Sequence, residues 1–388
     1  MSVQEIVKRC ETLFEDLHFN AVKQWKAAHP RAKAIGYLPI YVPREIVHAA
    51  GMLPVGIFGG GDQMEVIQGD AYYQSYICRI PRSTLELGLT GRLECLDGVL
   101  FPSICDVIRN LSGMWQILFK DKYVKYFDLP QNYDDAVGGR FYIHEMQALR
   151  ADLARLSGTE ITDQKLRASI AVYNENRKAI RELYAYRAQK PWQAPTSEVY
   201  LVLRAGCVLP PEEHTVLVRD YLQEAERQKR PPRDNARVVL TGAFCEQPPL
   251  GLIKSIEMAG CYVVDDDFQL IQSWLLDDVP LTGEPLEELS KAFLHRSAST
   301  SSKYDEKKED KGKFLLQQVK TRGAEGVIFA APSFCDPALL ERPMLQAILA
   351  KHKIPYTAFK YAENTGQMAP IREQAGTFAD SIKLWSAA

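Results

Sequence analysis

Short apolar runs typical of buried strands alternate with helix-like stretches in two separate parts of the chain. Each part shows the same order: a strand, a helix opened by proline and closed by glycine, and a second strand. These elements lie at 34–36, 43–51 and 52–55 in the first part, and at 238–242, 249–260 and 261–264 in the second. Strands that alternate with helices favour parallel sheets, so the pattern predicts two α/β halves built on one plan.

A cysteine follows a third strand in both halves. The segments 97–106 and 325–336 each contain an acidic residue and a glycine, an apolar run, a Pro-Ser turn, and then Cys105 or Cys335 followed by aspartate. Loops that leave the carboxyl ends of parallel strands form the binding crevice of such sheets. The repetition therefore predicts one site shared by the two halves, with Cys78 as a third cysteine of the set.

A helical segment separates the halves. Thr162 and Asp163 are suited to begin a helix, and apolar residues at helical spacing continue until Pro191. We expect a first flavodoxin-like domain that includes an N-terminal helix, the helical segment with its linker, and a second flavodoxin-like domain. The predicted ranges are 1–145, 146–235 and 236–388. The polar segment 297–313 is predicted to be a mobile loop with solvated charges that runs into a helix start.

Composition limits the classes of function. The 388 residues are 46% apolar and 25% charged, with a formal net charge of −2, as in soluble globular proteins, so we expect no nucleic-acid or membrane partner. No apolar run is long enough for a bilayer, and the N-terminus lacks the apolar core of a signal peptide, which predicts a cytoplasmic location. Its eight cysteines should then be buried thiols or metal ligands rather than disulfides.

The spacing of the cysteines bears on the kind of metal site. Structural zinc sites usually contain a close Cys-x-x-Cys pair, and this chain has none. Three ligands from separate loops suit a [4Fe-4S] cluster on a preassembled scaffold, with one iron left open to substrate or solvent. Buried apolar thiols are the alternative for Cys78, Cys105 and Cys335. A metal-free or zinc-bound scaffold protein without catalytic activity is a further class.

The other cysteines carry weaker signals. Cys10, Cys95, Cys207 and Cys261 lie in or near apolar helical or strand-like patterns, which favours packing in the core.

Other residues at the same predicted sheet edge are candidates for contact with a substrate. They are Gly36, Tyr37, Arg79, Ser103 and Cys245. Glu246 is a candidate general acid, on condition that burial raises its pKa toward the working pH; a solvated loop carboxylate is the alternative. Gly59-Gly60-Gly61-Asp62 lacks the Walker lysine and the Rossmann spacing, so it predicts a turn or a close backbone approach. No ATP-binding residue is predicted.

A set of motifs along almost the whole chain resembles the 2-hydroxyacyl-CoA dehydratase and benzoyl-CoA reductase subunit family. Each motif is weak alone, and together they are specific. They are Gly36-Tyr-x-Pro, Pro43-x-Glu45, Ala50-Gly51-x-x-Pro54, Cys78-Arg79, Pro102-Ser-x-Cys105-Asp106, Arg109-Asn110, Tyr173-Asn174-Glu175, Phe334-Cys335-Asp336-Pro337, Gly366-Gln367 and Ile371-Arg372.

The resemblance implies a heteromeric enzyme in which two homologous subunits pair and each holds a [4Fe-4S] cluster through three cysteines, here Cys78, Cys105 and Cys335. Separate ATPase subunits, similar to the dehydratase activator, would drive electrons from ferredoxin into this pair. In the reductases those electrons convert benzoyl-CoA to a cyclic dienoyl-CoA. In the dehydratases one recycled electron makes a ketyl radical that expels a hydroxyl group.

Two features depart from the family pattern. The acidic residue usual near the C-terminal strand appears only as Glu363, and the insert near 300 is unusual. We expect a reductase subunit first and a dehydratase subunit second.

Overall fold

The computed structural model describes residues 1–38, 40–242, 248–303, 310–362 and 368–386. Its first half, up to residue 127, contains α1 (Val3–Glu15), α2 (Asn20–Ala28), β1 (Ala34–Tyr37), α3 (Arg44–Ala49), β2 (Leu53–Gly56), α4 (Arg79–Leu89), β3 (Gly98–Pro102), α5 (Asp106–Leu118) and β4 (Tyr123–Phe127). Four helices follow: α6 (Arg140–Ser157), α7 (Asp163–Gln189), α8 (Thr196–Ala205) and α9 (Pro211–Arg227). The second half contains β5 (Ala236–Thr241), α10 (Leu250–Met258), β6 (Cys261–Asp266), α11 (Pro285–His295), α12 (Asp310–Arg322), β7 (Gly326–Pro332), α13 (Asp336–Lys351), β8 (Tyr356–Tyr361) and α14 (Met368–Ser386).

Each half is built around a four-stranded parallel sheet. The strand orders are β2-β1-β3-β4 and β6-β5-β7-β8, so equivalent strands occupy equivalent places. Strand β1 pairs with β3 from Ile35 opposite Gly98, and β5 pairs with β7 from Val238 opposite Gly326. The fold class predicted from the sequence, two flavodoxin-like α/β halves related by an internal repeat, is confirmed.

Strands β1, β2, β3 and β7 have no charged residue, as is typical of parallel strands covered on both faces. Every residue of β1, β2, β3 and β7 is buried. Close packing also explains Gly36: a Cβ atom there would lie 2.5 Å from Ile57 Cδ1 and 3.0 Å from Leu96 Cδ1. A larger residue at this place in β1 would push its neighbours away from the sheet.

Helix α7 is the centre of the helical segment and begins where the sequence predicts. The Thr162 side chain accepts a hydrogen bond from the Lys165 amide at 3.3 Å, which caps the first turn. The stripe at helical spacing is buried as packing surface; it comprises Leu166, Ile170, Tyr173, Ile180 and Tyr184. Within the described residues, no helix is long and apolar enough to cross a membrane.

In two places, residues of one predicted range pack in the core of another. The buried face of α1 belongs to the core around the second sheet, although α1 precedes the first strand. Conversely, Leu270, Trp274 and Phe293 belong to the core around the first sheet. The division into ranges 1–145, 146–235 and 236–388 therefore stays a prediction. Each of the two cores contains residues from more than one of these ranges.

Buried polar contacts join the halves to α7. Glu45 on α3 pairs with Arg177 on α7 at 2.6 Å, and both side chains are 3% exposed. Asn174, also on α7, donates to the Val279 carbonyl at 2.8 Å and accepts from the Val279 amide at 2.9 Å. The motifs Pro43-x-Glu45 and Tyr173-Asn174-Glu175 therefore act in assembly of the two halves.

The prediction of a solvated loop at 297–313 is wrong for its described first part. Thr300 is 4% and Lys303 is 9% exposed. The Lys303 ammonium donates to the Leu294 carbonyl at 3.1 Å and lies over the rings of Tyr133 and Phe293. Residues 304–309 lie outside the described residues, and the predicted helix start is confirmed by α12. The described first part is held in place because its cation is buried against aromatic rings.

Candidate metal centre

Three cysteines each stand immediately before a helix. Cys105 lies between β3 and α5, Cys335 lies at the equivalent place between β7 and α13, and Cys78 precedes α4. Cys78 and Cys105 are half-buried, and Cys335 is 6% exposed. All three thiols are thus attached to the positive ends of helices of eleven residues or more, where negative charge is stabilised.

The two Pro-Ser turns have the same construction. The Ser103 amide donates to the Phe127 carbonyl at the end of β4, at 3.0 Å, and the Ser333 amide donates to the Tyr361 carbonyl at the end of β8, at 2.7 Å. Each turn is therefore tied to the neighbouring strand end, which fixes the position of the cysteine that follows.

The residue before the cysteine differs between the two turns. Phe334 has a φ of 67°, in the left-handed region that a bulky residue rarely adopts. It is also 51% exposed, whereas Ile104 at the equivalent place is 6% exposed. A strained backbone of this kind persists where the surroundings require it and is frequent at functional sites.

Charge effects link two of the three thiols directly and the third through Tyr73. Burial raises the pKa of Cys105, the first-turn amides of Ile108 and Val107 lower it, and the charge of Cys335 raises it again. Burial also raises the pKa of Tyr73, and the charges of Cys78 and Cys105 raise it further. These charge effects connect Cys105 with Cys335, and Tyr73 with both Cys78 and Cys105.

A single metal ion and an iron-sulfur cluster require different arrangements of their ligands. Among the described residues, no group of three histidine, cysteine or acidic side chains is placed to hold a single metal ion. In an iron-sulfur cluster each thiolate binds a different iron, so its ligands need not converge on one point. Three thiols at helix N-termini are ligands of the type that an iron-sulfur cluster uses, and in the described part of the chain the buried Tyr73 hydroxyl has no partner.

Two of the sequence-predicted substrate residues take part in loop contacts. The Arg79 guanidinium donates to the Gly61 carbonyl at 3.3 Å and to the Met64 carbonyl at 2.5 Å. Ser103 accepts from the Leu129 amide at 2.7 Å through its hydroxyl. Both side chains therefore hold the loops around the cysteines.

The glycine-rich segment 59–61 lies against the same loop region. Gly59 approaches a neighbouring helix closely, since a Cβ atom there would lie 2.0 Å from Ser83 Oγ on α4. The segment is thus a close backbone approach, as predicted.

The two substrate candidates on β1 are buried. Tyr37 is 2% exposed, and Arg44 donates to its hydroxyl at 3.4 Å. Gly36 is explained by the packing described above. Cys245, Glu246 and Glu363 lie outside the described residues.

A carboxyl that the sequence pattern did not indicate lies at the same edge of the second sheet. Asp267 accepts hydrogen bonds from Thr241 and from the Gly242 amide, both at 2.7 Å. Burial raises its pKa to about 7, against the opposing effect of these hydrogen bonds. Asp265, Asp266 and Asp267 follow one another in the sequence, and no local signal distinguishes the third, because the difference comes from tertiary burial.

A groove of about 650 Å³ is lined by residues that flank Cys78 and Cys105 in the sequence. It is lined by Tyr73 and Ile77 on the loop before Cys78, and by Val107 and Arg109 on α5 after Cys105. The Arg109 guanidinium lies 5.8 Å from the centre of the Tyr126 ring, on the groove wall. The groove combines a cation with aromatic rings, which suits an anionic organic ligand.

The remaining described cysteines serve packing in the two cores. Cys10, Cys207 and Cys261 are buried, and burial raises the pKa of each thiol. Cys95 is half-buried. Core packing, predicted for Cys10, Cys95, Cys207 and Cys261, is confirmed for the three buried thiols, and Cys95 packs against the first core.

Comparison with known proteins identifies the family. The sequence model described as 2-hydroxyglutaryl-CoA dehydratase, D-component, matches residues 39–382. The chain belongs to this family.

Named relatives differ in how similar they are. The chain is 63% identical over 386 residues to the C-type subunit of the benzoyl-CoA reductase of Thauera aromatica, with 100% of both chains covered. It is 30% identical over 354 residues to the (R)-2-hydroxyglutaryl-CoA dehydratase subunit beta of Acidaminococcus fermentans, covering 90% of this chain and 92% of that one. It is 28% identical over 350 residues to the (R)-phenyllactyl-CoA dehydratase beta subunit of Clostridium sporogenes, with the same coverage.

Proposed function

We propose that this chain is the C-type (gamma) subunit of an ATP-dependent benzoyl-CoA reductase. The observation that carries the proposal is the 63% identity over the full length to a benzoyl-CoA reductase subunit, against 28–30% over 90% of the chain for the two dehydratase subunits. Identity about twice as high, and extending through both termini, favours the reductase branch of the family.

The proposed cofactor is a [4Fe-4S] cluster held by Cys78, Cys105 and Cys335. Support comes from three thiols at three helix N-termini, where backbone N–H groups stabilise thiolate charge. When bound, the cluster would supply one-electron reduction at low potential. In its absence Cys105 is a protonated thiol at neutral pH because its pKa is raised by burial, so cluster assembly must release protons.

The proposed reaction adds two electrons and two protons to the aromatic ring of benzoyl-CoA and yields a cyclic dienoyl-CoA. We propose that the electrons come from ferredoxin through separate ATPase subunits. A homologous iron-sulfur subunit pairs with this chain in the proposed heterotetramer, in an anaerobic cytoplasm. The groove lined by residues that flank Cys78 and Cys105 in the sequence is the proposed place for the thioester end, with Arg79 and Ser103 holding the loops around it. Cys245 and Glu246 stay proposals without structural support.

A dehydratase subunit is the second candidate. The family model that matches the chain is itself described as a dehydratase component, and the dehydratase subunits match over most of their length. Both reactions pass through a radical anion of a CoA thioester, so one scaffold suits both.

Iron and acid-labile sulfide, measured after anaerobic reconstitution, test the cluster ligands. Cys78→Ser, Cys105→Ser and Cys335→Ser should each lose the cluster of this chain, because each removes one of three thiolates. Cys95→Ser is the matched control, since Cys95 is half-buried like Cys78 and Cys105; it should keep the iron content of the wild type. Equal iron in all four variants would contradict the ligand set.

Activity measurements test the branch of the family. The chain with its partner subunit, the ATPase subunits, ATP and reduced ferredoxin should reduce benzoyl-CoA and should not dehydrate a 2-hydroxyacyl-CoA. The reverse result would assign it to the dehydratases. The chain alone should hydrolyse no ATP, because the sequence carries no Walker motif. ATP-dependent reduction by the isolated chain would refute the proposed division between subunits.

A further inference from the structure

The Tyr73 hydroxyl is a buried polar group that this chain leaves unused. Among the described residues it has no hydrogen-bond partner, although the oxygen is inaccessible to solvent. Its ring packs against the first core together with Cys78 and Cys105. A buried hydroxyl without a partner loses its hydrogen bonds to water and forms none in the protein, which costs free energy. We therefore expect a bound group that is not part of the chain to accept a hydrogen bond from it.

The position of Tyr73 narrows the choice of that group. Tyr73 shares a groove wall with Ile77, the residue before Cys78, and with Val107, two residues after Cys105. The same side chain forms part of the wall of the groove. Tyr73 therefore borders the groove and packs against the same core as two of the three proposed ligands. A group bound by these thiols would bring sulfur acceptors to the same region as its hydroxyl.

The neighbouring tyrosine provides a contrast. Tyr72 is 42% exposed and lines the same groove. Its hydroxyl is not among the buried side-chain atoms that lack a partner in the described part of the chain. The two phenols share a loop and a chemistry, and they differ in burial.

We infer that the Tyr73 hydroxyl donates a hydrogen bond to a sulfur atom of the cluster held by Cys78, Cys105 and Cys335. The inference rests on the proposed function, because it needs the cluster to be present. Tyr73 is then a positioning residue that adjusts the electronic properties of the cofactor without taking part in the chemistry.

A hydrogen bond to a cluster sulfur stabilises the more negatively charged, reduced form. Loss of the hydroxyl should therefore lower the midpoint potential and make the cluster harder to reduce. A phenol that has only a packing role would leave the potential unchanged, because phenylalanine fills the same space.

The test is a redox titration followed by electron paramagnetic resonance, on the complex of this chain with its partner subunit. The signal that disappears in Cys105→Ser is assigned to the cluster of this chain. Tyr73→Phe should retain the wild-type iron content and shift this signal to a lower midpoint potential. Tyr72→Phe should shift nothing. An unchanged potential in Tyr73→Phe, or an equal shift in Tyr72→Phe, would overturn the inference.

The two proposals fail in different ways. If Cys105→Ser keeps its iron, the ligand set is wrong and the proposed function loses its cofactor. If the cysteine variants lose iron and Tyr73→Phe titrates like the wild type, only the role of Tyr73 is wrong, and its hydroxyl serves a ligand or water in the groove.

Discussion

The ion pair between Glu45 and Arg177 gives the sharpest test of how the two halves are joined. The carboxylate and the guanidinium are 2.6 Å apart, and both side chains are 3% exposed. Glu45→Gln removes one charge and leaves Arg177 buried without its counter-ion. The Arg177 contact with the Asn174 side chain, at 2.7 Å, remains, but a neutral amide does not balance the charge.

Breaking a buried pair from one side costs about 3–5 kcal/mol, because the surviving charge has lost both water and its partner. Glutamine keeps one acceptor oxygen, so we expect a loss near the lower limit, about 3 kcal/mol. Glu45→Gln combined with Arg177→Met should recover much of this loss, since neither charge is then buried alone. Glu175→Gln is the matched control: its pair with Arg219 is 57% and 47% exposed, and such pairs are worth about 1 kcal/mol or less.

Urea unfolding followed by tryptophan fluorescence measures the effect as a lower midpoint at unchanged slope. The first transition is compared among variants, because a protein of this length can unfold in more than one step. A loss below about 1 kcal/mol in Glu45→Gln, or a double variant as unstable as the sum of the single ones, would refute the reasoning.

Two further predictions concern the loops at the sheet edges. Gly59 has a φ of +69°, and a Cβ atom there would lie 2.0 Å from Ser83 Oγ, so Gly59→Ala should lower the free energy of thermal unfolding by about 1–3 kcal/mol. Gly113→Ala is the control and should not destabilise the protein, because a Cβ atom there meets nothing within 4 Å. Equal losses in the two variants would contradict the packing argument. Burial raises the pKa of Asp267 from 3.8 to about 7, so the folded state binds the extra proton and its stability falls as pH rises through this window. Asp267→Asn should remove that fall, so its stability relative to the wild type should rise between pH 4 and pH 7. The upper limit of this rise is about 4 kcal/mol, and the partial exposure of Asp267 makes the expected value smaller. A stability difference that does not vary with pH in urea titrations would contradict the prediction.

Much of the fold could be predicted because its signals are local. Pro43 and Gly51 mark one helix and Pro249 and Gly260 mark its equivalent, and the apolar runs beside them are long enough for strands. The Pro-Ser turns are local as well, so the pattern predicted that Cys105 and Cys335 follow equivalent strands.

Burial at the strand ends could not be predicted in the same way. Tyr37 is the last residue of β1, and the sequence places it in the crevice; in the structure, however, Arg44 on the next helix donates to its hydroxyl, and Gln272 of the other half accepts from Arg44. The raised pKa of Asp267 also comes from tertiary burial. The burial of Tyr37 depends on a residue more than 200 positions away, and the pKa of Asp267 depends on burial in the folded protein. Neither effect leaves a pattern in the nearby sequence.

The long-range contacts and the proposed cluster depend on each other. Cys105 and Cys335 follow strands of different sheets, so a ligand set that uses both exists only when the halves are joined. Ser302 donates to the Ile104 carbonyl at 2.8 Å and thereby fastens the second half to the turn of Cys105. A cofactor that binds only the joined state stabilises it, and by the same linkage any change that loosens the halves weakens cofactor binding. Under the proposed ligand set, Glu45→Gln should therefore lose iron to a chelator faster than Glu175→Gln, although Glu45 touches none of the three cysteines.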